Sequence, residues 1–230
     1  MHFAHSPEIW REFPHLVPGA LLAEGIRPDA DALPLLAPWF TRARERLASG
    51  AESELAEISA WRRAYAQMGL KPTQYRSAAE ALLRRFRRDG ELPRLHPLVD
   101  LGNAVSLAFA VPVAIFDLAH VSGSLEVRHA EGDEQHTAFS GEIESPEPGE
   151  VIFADDAKHA HARRWTFRQS RRSTVTADTR RALIVAEALH PSAVADVSAA
   201  IGALGQGLAA LWGVPPRQAI LSATAPRFEL

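Results

Sequence analysis

Cysteine is absent from the 230 residues, which excludes disulfides and thiolate chemistry and suits a reducing compartment. Lysine is nearly absent as well, with Lys71 and Lys158 alone among 25 basic residues. An arginine- and alanine-rich composition also follows from GC-rich coding, so arginine clusters by themselves are weak evidence for RNA binding. Positive charge is not in excess either. The net charge of −3 argues against a strongly basic, non-specific nucleic-acid binder. The first eight residues lack the basic start and apolar run of a signal peptide, and no window approaches the apolar length that spans a membrane. These absences predict a cytoplasmic protein. Internal repeats and low-complexity tracts are missing, and so is the strand-turn-helix Gly-x-Ser-x-Gly element of many serine hydrolases. Gly202, Gly205 and Gly207 mimic a phosphate loop. They fall inside an amphipathic helix rather than between strand and helix, so close helix packing explains them better.

What is present is an ordinary globular composition, 47% hydrophobic and 23% charged, enough for one large domain or one domain with an appendage. Residues 1–40 are proline-rich and without clear period, with a short strand expected within Ile9–Val17. Leu55, Ile58, Trp61, Tyr65 and Met68 recur at helical steps, with breaks at Ser49-Gly50 and Gly69. Ser77 and Glu80 form a capping box that opens a second helix, which Gly90 closes. A third helix starts near Pro97 and buries Leu98, Leu101, Val105 and Phe109. Strands are predicted over Val113–Asp117, Ser124–His129, Glu150–Ala154 and Arg181–Leu189, the last apolar enough for a central strand. Ser192 caps a final helix with a stripe of Val194, Val197, Ile201, Leu204, Leu208 and Leu211, and Gln218–Ala223 reads as a last strand. The class is α+β.

Several residues could carry chemistry. Asp100 and Asn103 sit three apart on a helix; Asn103 either orders a pocket wall or helps tie the helix to a loop. Asp155-Asp156 ends an apolar strand, where a turn held by Asp side chains competes with a site. His159 and His161 share one strand face, so they form a solvated pair or, with Asp155, part of a metal site. Arg168 and Gln169 could hold a ribose, a phosphate or an aminoacyl carbonyl, unless Arg168 pairs with Asp155 or Asp156. Thr174, Thr176 and Thr179 could add hydroxyls.

Taken in order, Val99–Asn103, Pro112–Asp117 and Gly149–Asp156 resemble the B3/B4 domain of the phenylalanyl-tRNA synthetase beta subunit. That family has a Val-Asp-x-Thr-Asn helix, a Pro-x-His-Ala-Phe-Asp strand and a Gly-x-Leu-Val-Ile-Ala-Asp-Asp turn. The resemblance covers roughly residues 61–189. It implies a mixed β-sheet core with flanking helices over residues 61–230; composition and periodicity make residues 1–60 a mostly helical N-terminal extension, an irregular appendage over its first 40 residues. It further implies contact with the aminoacylated 3′ end of a tRNA and hydrolysis of a mischarged ester by a water held in the pocket. Neither a metal nor an organic cofactor is required, and no membrane or DNA partner is expected.

The framework matches better than the contact residues. The family's histidine falls on Ala114, its threonine on Gly102, and its Gly-Gly turn near Gln169-Ser170. A late glutamate falls near Val185, with Glu187 two residues on and sharing its strand face. On this resemblance the expected catalytic set is Asn103, Asp117, Arg168, Gln169 and Glu187. Arg168, Gln169 and Asn103 position the terminal adenosine or the ester, and Glu187 or Asp117 orients water. Arg84, Arg85, Arg88, Arg163, Arg164, Arg171 and Arg172 are expected to meet phosphates. The alternatives are a non-catalytic RNA-binding module and a metal hydrolase built on Asp155, His159 and His161.

Overall fold

The computed structural model describes residues 1–230. The chain opens with β1 (His2–His5), α1 (Pro7–Glu12) and β2 (Val17–Glu24). Four helices follow: α2 (Leu33–Ala48), α3 (Ala56–Gln67), α4 (Ala78–Asp89) and α5 (Pro97–Phe109). Next comes a run of strands: β3 (Val113–Asp117), β4 (Leu125–His129), β5 (His136–Thr137), β6 (Ile143–Glu144), β7 (Val151–Asp155), β8 (Ala160–Arg163), β9 (Arg168–Gln169) and β10 (Arg181–Ala188). The long α6 (Ala193–Trp212), β11 (Arg217–Ile220) and β12 (Arg227–Glu229) complete the α+β fold.

Two sheets lie at its centre. One has the order β11-β2-β10-β3 and is antiparallel throughout. The other has the order β12-β1-β4-β7-β8-β9, with β1 and β4 parallel. Strand alternation sends successive residues of β10 to opposite faces. Ala182, Ile184 and Ala186 pack toward α2, α5 and α6, whereas Leu183 and Val185 enter the core between the two sheets. The same alternation places Ile115 on the helix side of β3 and Phe116 between the sheets. Both faces of β10 are buried, which is why its sequence is a continuous apolar run.

The first 40 residues depart from expectation. They are no irregular appendage: β1 joins the six-stranded sheet and β2 pairs along its whole length with β10. The strand expected within Ile9–Val17 is instead α1, capped by Ser6, with β2 starting only at Val17. The capping box at Ser77 is half formed. Ser77 Oγ accepts from the Glu80 amide, but the Glu80 carboxylate turns inward to Arg62 and Arg76. Ser192 makes no side-chain cap and Val194 is exposed.

A further correction concerns α6. Its 20 residues include an 18-residue stretch of mean hydropathy 1.5, long and apolar enough to cross a membrane, contrary to the sequence reading. Its apolar residues Val197, Ile201, Leu204 and Leu208 belong to the core with β2, β10 and α5, so here it is a core helix.

Candidate functional site

The face of β3 and β10 that points between the sheets carries Ala114, Phe116, Val185 and Glu187. These residues line a cavity of about 60 Å³, together with Pro112, Phe153, Ala162, Trp165, Arg168 and Gln169. A second cavity of about 440 Å³ lies on the helix side, lined by His96, Asn103, Val113, Ile115, Phe139, Gln169 and Thr174 among others. Val113 and Gln169 are common to both cavities. The Gln169 amide nitrogen donates to the Ile115 carbonyl at 2.6 Å, which fixes the side chain as a partition between the two spaces.

The turn between β8 and β9 sets one wall. Arg164 and Trp165 are consecutive non-glycine residues at positive φ, 48° and 58°, a conformation that costs each about 1–2 kcal/mol. Where the resemblance leads one to expect a glycine-rich turn, tertiary contacts hold the left-handed backbone instead. The Trp165 ring is enclosed, edge-on to Phe13 at 4.9 Å and to Trp61 at 5.1 Å. Its indole Nε1 donates to Glu187 Oε1 at 3.0 Å. His5 Nε2 meets the same oxygen at 2.6 Å, and Trp61 Nε1 donates to the Glu187 backbone carbonyl at 3.3 Å. Glu187 is only 2% exposed, and it is the one carboxylate lining the smaller cavity.

The position where the family's threonine would fall is Gly102. A Cβ there would meet Ile115 Cδ1 at 2.7 Å, so a side chain at this position would require Ile115 to shift its terminal methyl. Ala114 stands on the cavity wall where the family's histidine would fall.

Not every expected residue is in place. Asn103, Gln169 and Glu187 come to the two cavities, but Asp117 lines neither. Its buried carboxylate accepts from the Ala119 amide at 3.0 Å and the Thr179 hydroxyl at 2.6 Å. Arg168 borders the smaller cavity, yet it is paired through two nitrogens with Glu144 at 2.9 and 3.0 Å, and not with Asp155 or Asp156. Of Thr174, Thr176 and Thr179, only Thr174 lines either cavity.

Most of the arginines expected to meet RNA are similarly engaged. Arg163 is buried between Glu144 and Glu150. Arg164 lies over the Tyr75 ring and near Glu150. Arg84 binds Glu52, and Arg85 and Arg88 share the surface residue Asp89. Surface pairs of this last kind are weak. Arg171 and Arg172 are exposed and make no ion pair.

Asp155 engages both histidines, with His161 buried and His159 half-buried. Asp155 accepts from the Ser122, Ala157 and His159 amides, from His159 Nδ1 at 3.1 Å and from His161 Nε2 at 3.2 Å. Burial pushes the Asp155 carboxyl up, but the His161, Ser122 and His159 bonds outweigh it and hold it well below the usual carboxylate range. Burial lowers His161 despite Asp155, while His161 Nδ1 bonds Ser173 Oγ. The turn reading of Asp155-Asp156 therefore fits the geometry, as Asp156 also accepts from the Ser124 amide.

A different trio, Glu57, His190 and Asp196, brings one ligand atom each within 4.8 Å of the others. There Arg46 already pairs with Glu57, and His190 Nε2 bonds Asp196 at 2.8 Å. The cluster is thus charge-compensated by the protein itself.

His5 and its bond to Glu187 have no counterpart in the sequence reading. The two residues lie 182 positions apart, and no local pattern marks a lone histidine as a partner across that distance.

Comparison with known proteins places these features in context. The B3/4 domain profile matches residues 60–204. Phenylalanine--tRNA ligase beta subunits of Cereibacter sphaeroides and Shewanella oneidensis are each 34% identical over 74 residues, 32% of this chain and 9% of the relative. The match thus spans a small part of the relatives' length. A crystal structure of an N-terminal fragment of the phenylalanyl-tRNA synthetase beta-subunit from Pyrococcus horikoshii aligns over 94% of this chain and 49% of that one. Its TM-score is 0.48, at 11% sequence identity.

Proposed function

The chain belongs to the B3/4 domain family, and from that premise we propose that it binds the aminoacylated end of a tRNA and hydrolyses a mischarged ester in trans. One observation carries this reading: Gln169 separates a small, mostly apolar cavity from a larger one. The aminoacyl group occupies the smaller space and the terminal nucleoside the larger, which puts the ester bond at Gln169. Asn103 contacts the nucleoside from α5, and Arg171 and Arg172, next to Thr174 and Val175 of the larger cavity, meet nearby phosphates. Phosphate contacts are few, so binding is moderate and salt-sensitive.

The smaller cavity has no cysteine or lysine, and its single hydroxyl, Thr166, is bonded to Tyr65 at 3.0 Å. Water is therefore the nucleophile. Its oxygen attacks the ester carbonyl carbon, the bond to the ribose oxygen breaks, and the products are a free amino acid and an uncharged 3′ end. Gln169 Oε1, held by the anchored amide, positions the reacting groups. Asp117 lies outside both cavities and takes no part. A tRNA substrate is compatible with the cytoplasmic location expected from the composition.

A panel of correctly and incorrectly charged aminoacyl-tRNAs tests the proposal by loss of the ester. Selective deacylation of one pair supports it and names the substrate. Ala114, at the family's histidine position, favours a second reading, a tRNA-binding module without hydrolysis. Survival of every ester while tRNA still binds would decide for that module.

A further inference from the structure

The fold buries five glutamates, and four of them hold an arginine. Glu52 pairs with Arg84 and Arg87, Glu57 with Arg46, Glu80 with Arg62, and Glu134 with Arg128. Glu187 is the exception, with His5 as its sole titratable partner. Burying a carboxylate without a cation is costly, and the chain supplies arginines freely elsewhere.

Geometry shows where a cation would go. His5 Nε2 and Trp165 Nε1 both converge on Oε1, leaving Oε2 without a protein donor in a residue that lines the cavity. His5 Nδ1 is buried with no partner. With hydrogen on Nε2, the His5 ring donates to Glu187 without stranding a second N–H. The other charged group on the cavity wall, Arg168, is neutralised by Glu144.

The size of the cavity selects the kind of cation. At about 60 Å³ it holds roughly four waters, at about 10–15 Å³ each. A long cationic side chain does not fit beside an ester there. A small aminoacyl group does, and the cation that every aminoacyl ester carries is its α-ammonium.

We propose that Glu187 Oε2 receives the α-ammonium group of the aminoacyl moiety, and that His5 is the positioning residue that aims it. The inference rests on the aminoacyl reading of the smaller cavity. His5 lies on β1, outside residues 60–204, so this chain's own first strand completes the site.

Two stable amides test it: 3′-deoxy-3′-(L-alanylamino)adenosine and its propionylamino counterpart, which lacks only the amine. Calorimetric titration of the full chain near pH 7, where an α-amino group is mostly protonated, is expected to show the alanyl compound binding about 10- to 100-fold tighter. Glu187→Gln should bring both compounds to the weaker affinity. His5→Phe should lower the ratio between them, and His5→Gln, which keeps a donor, should restore part of it. A role for His5 in folding alone would weaken both compounds alike and leave the ratio unchanged, which would overturn its positioning role. Equal binding of the two compounds by the unmodified protein would overturn the ammonium assignment while leaving the editing proposal standing. Binding of neither at millimolar concentration would overturn both.

Discussion

Replacing His136 with phenylalanine should make the protein more resistant to mild acid. His136 lies on β5, is fully buried, and has both ring nitrogens without a hydrogen-bond partner. Burial first, and the Arg168 guanidinium next, push its pKa down to about 4. An unfolded histidine titrates near 6.5. Between these values the unfolded chain binds a proton that the folded protein refuses, so stability falls as pH falls through that window. The full shift corresponds to about 3 kcal/mol, of which about 2 kcal/mol is lost between pH 7 and pH 5. His136→Phe keeps a ring of similar size and gives up only a weak approach to the Gln169 backbone. Urea unfolding of both proteins at pH 7 and pH 5 measures the effect, provided the m-values agree. The variant should lose about 2 kcal/mol less than the parent between the two pH values. Equal losses would refute the reasoning, because a histidine that protonates in place cannot be sealed off as its environment indicates.

Other perturbations follow from the same packing. Glu80→Gln breaks the ion pairs that tie α3 to α4 through Arg62 and Arg76; denaturant unfolding should show a loss of about 3 kcal/mol. Two glycines of α6 should respond in opposite directions. A Cβ at Gly207 would meet Leu101 Cδ2 at 2.6 Å, whereas Gly202 faces open space. Gly207→Ala should therefore cost about 1–3 kcal/mol by overpacking, and Gly202→Ala should gain up to about 1 kcal/mol of helix propensity, both read as shifts in Tm. Asp117→Asn should lower stability by about 1–2 kcal/mol through its bonds to Thr179 and Ala119, while deacylation at a permissive temperature stays at the parent rate.

The legible parts of the fold are those where a local signal and the tertiary environment agree. The α4 helix carries its own Ser77 cap and Gly90 stop, α5 its Pro97 start, and β10 the uninterrupted apolar run of a strand buried on both faces. The missed parts are those whose local signals point elsewhere. Pro18 and Gly19 read as breakers, yet they lie in β2. There α6 presses so close that a Cβ on Gly19 would meet Ile201 Cγ1 at 2.5 Å. At the site, alternation along β10 placed Glu187 on the face of Val185, and the Arg168-Gln169 segment falls on a cavity wall. Which of those polar groups are free was not legible, since ion pairs such as Arg168–Glu144 and Arg163–Glu150 join residues that no period relates. The placement of Asp117 was hidden for the same reason, as its bond to Thr179 is a contact across 62 positions.

The central claim is that an aminoacyl ester is cut at Gln169, between the two cavities. Single-turnover hydrolysis of the most responsive mischarged tRNA by the parent protein and by Gln169→Ala tests it most directly. Parent turnover with a loss of about 100-fold or more in the variant, comparable to removing one transition-state hydrogen bond, is the predicted result. Parent-like turnover by Gln169→Ala would contradict the placement of the ester, and no turnover by either protein would contradict hydrolysis itself.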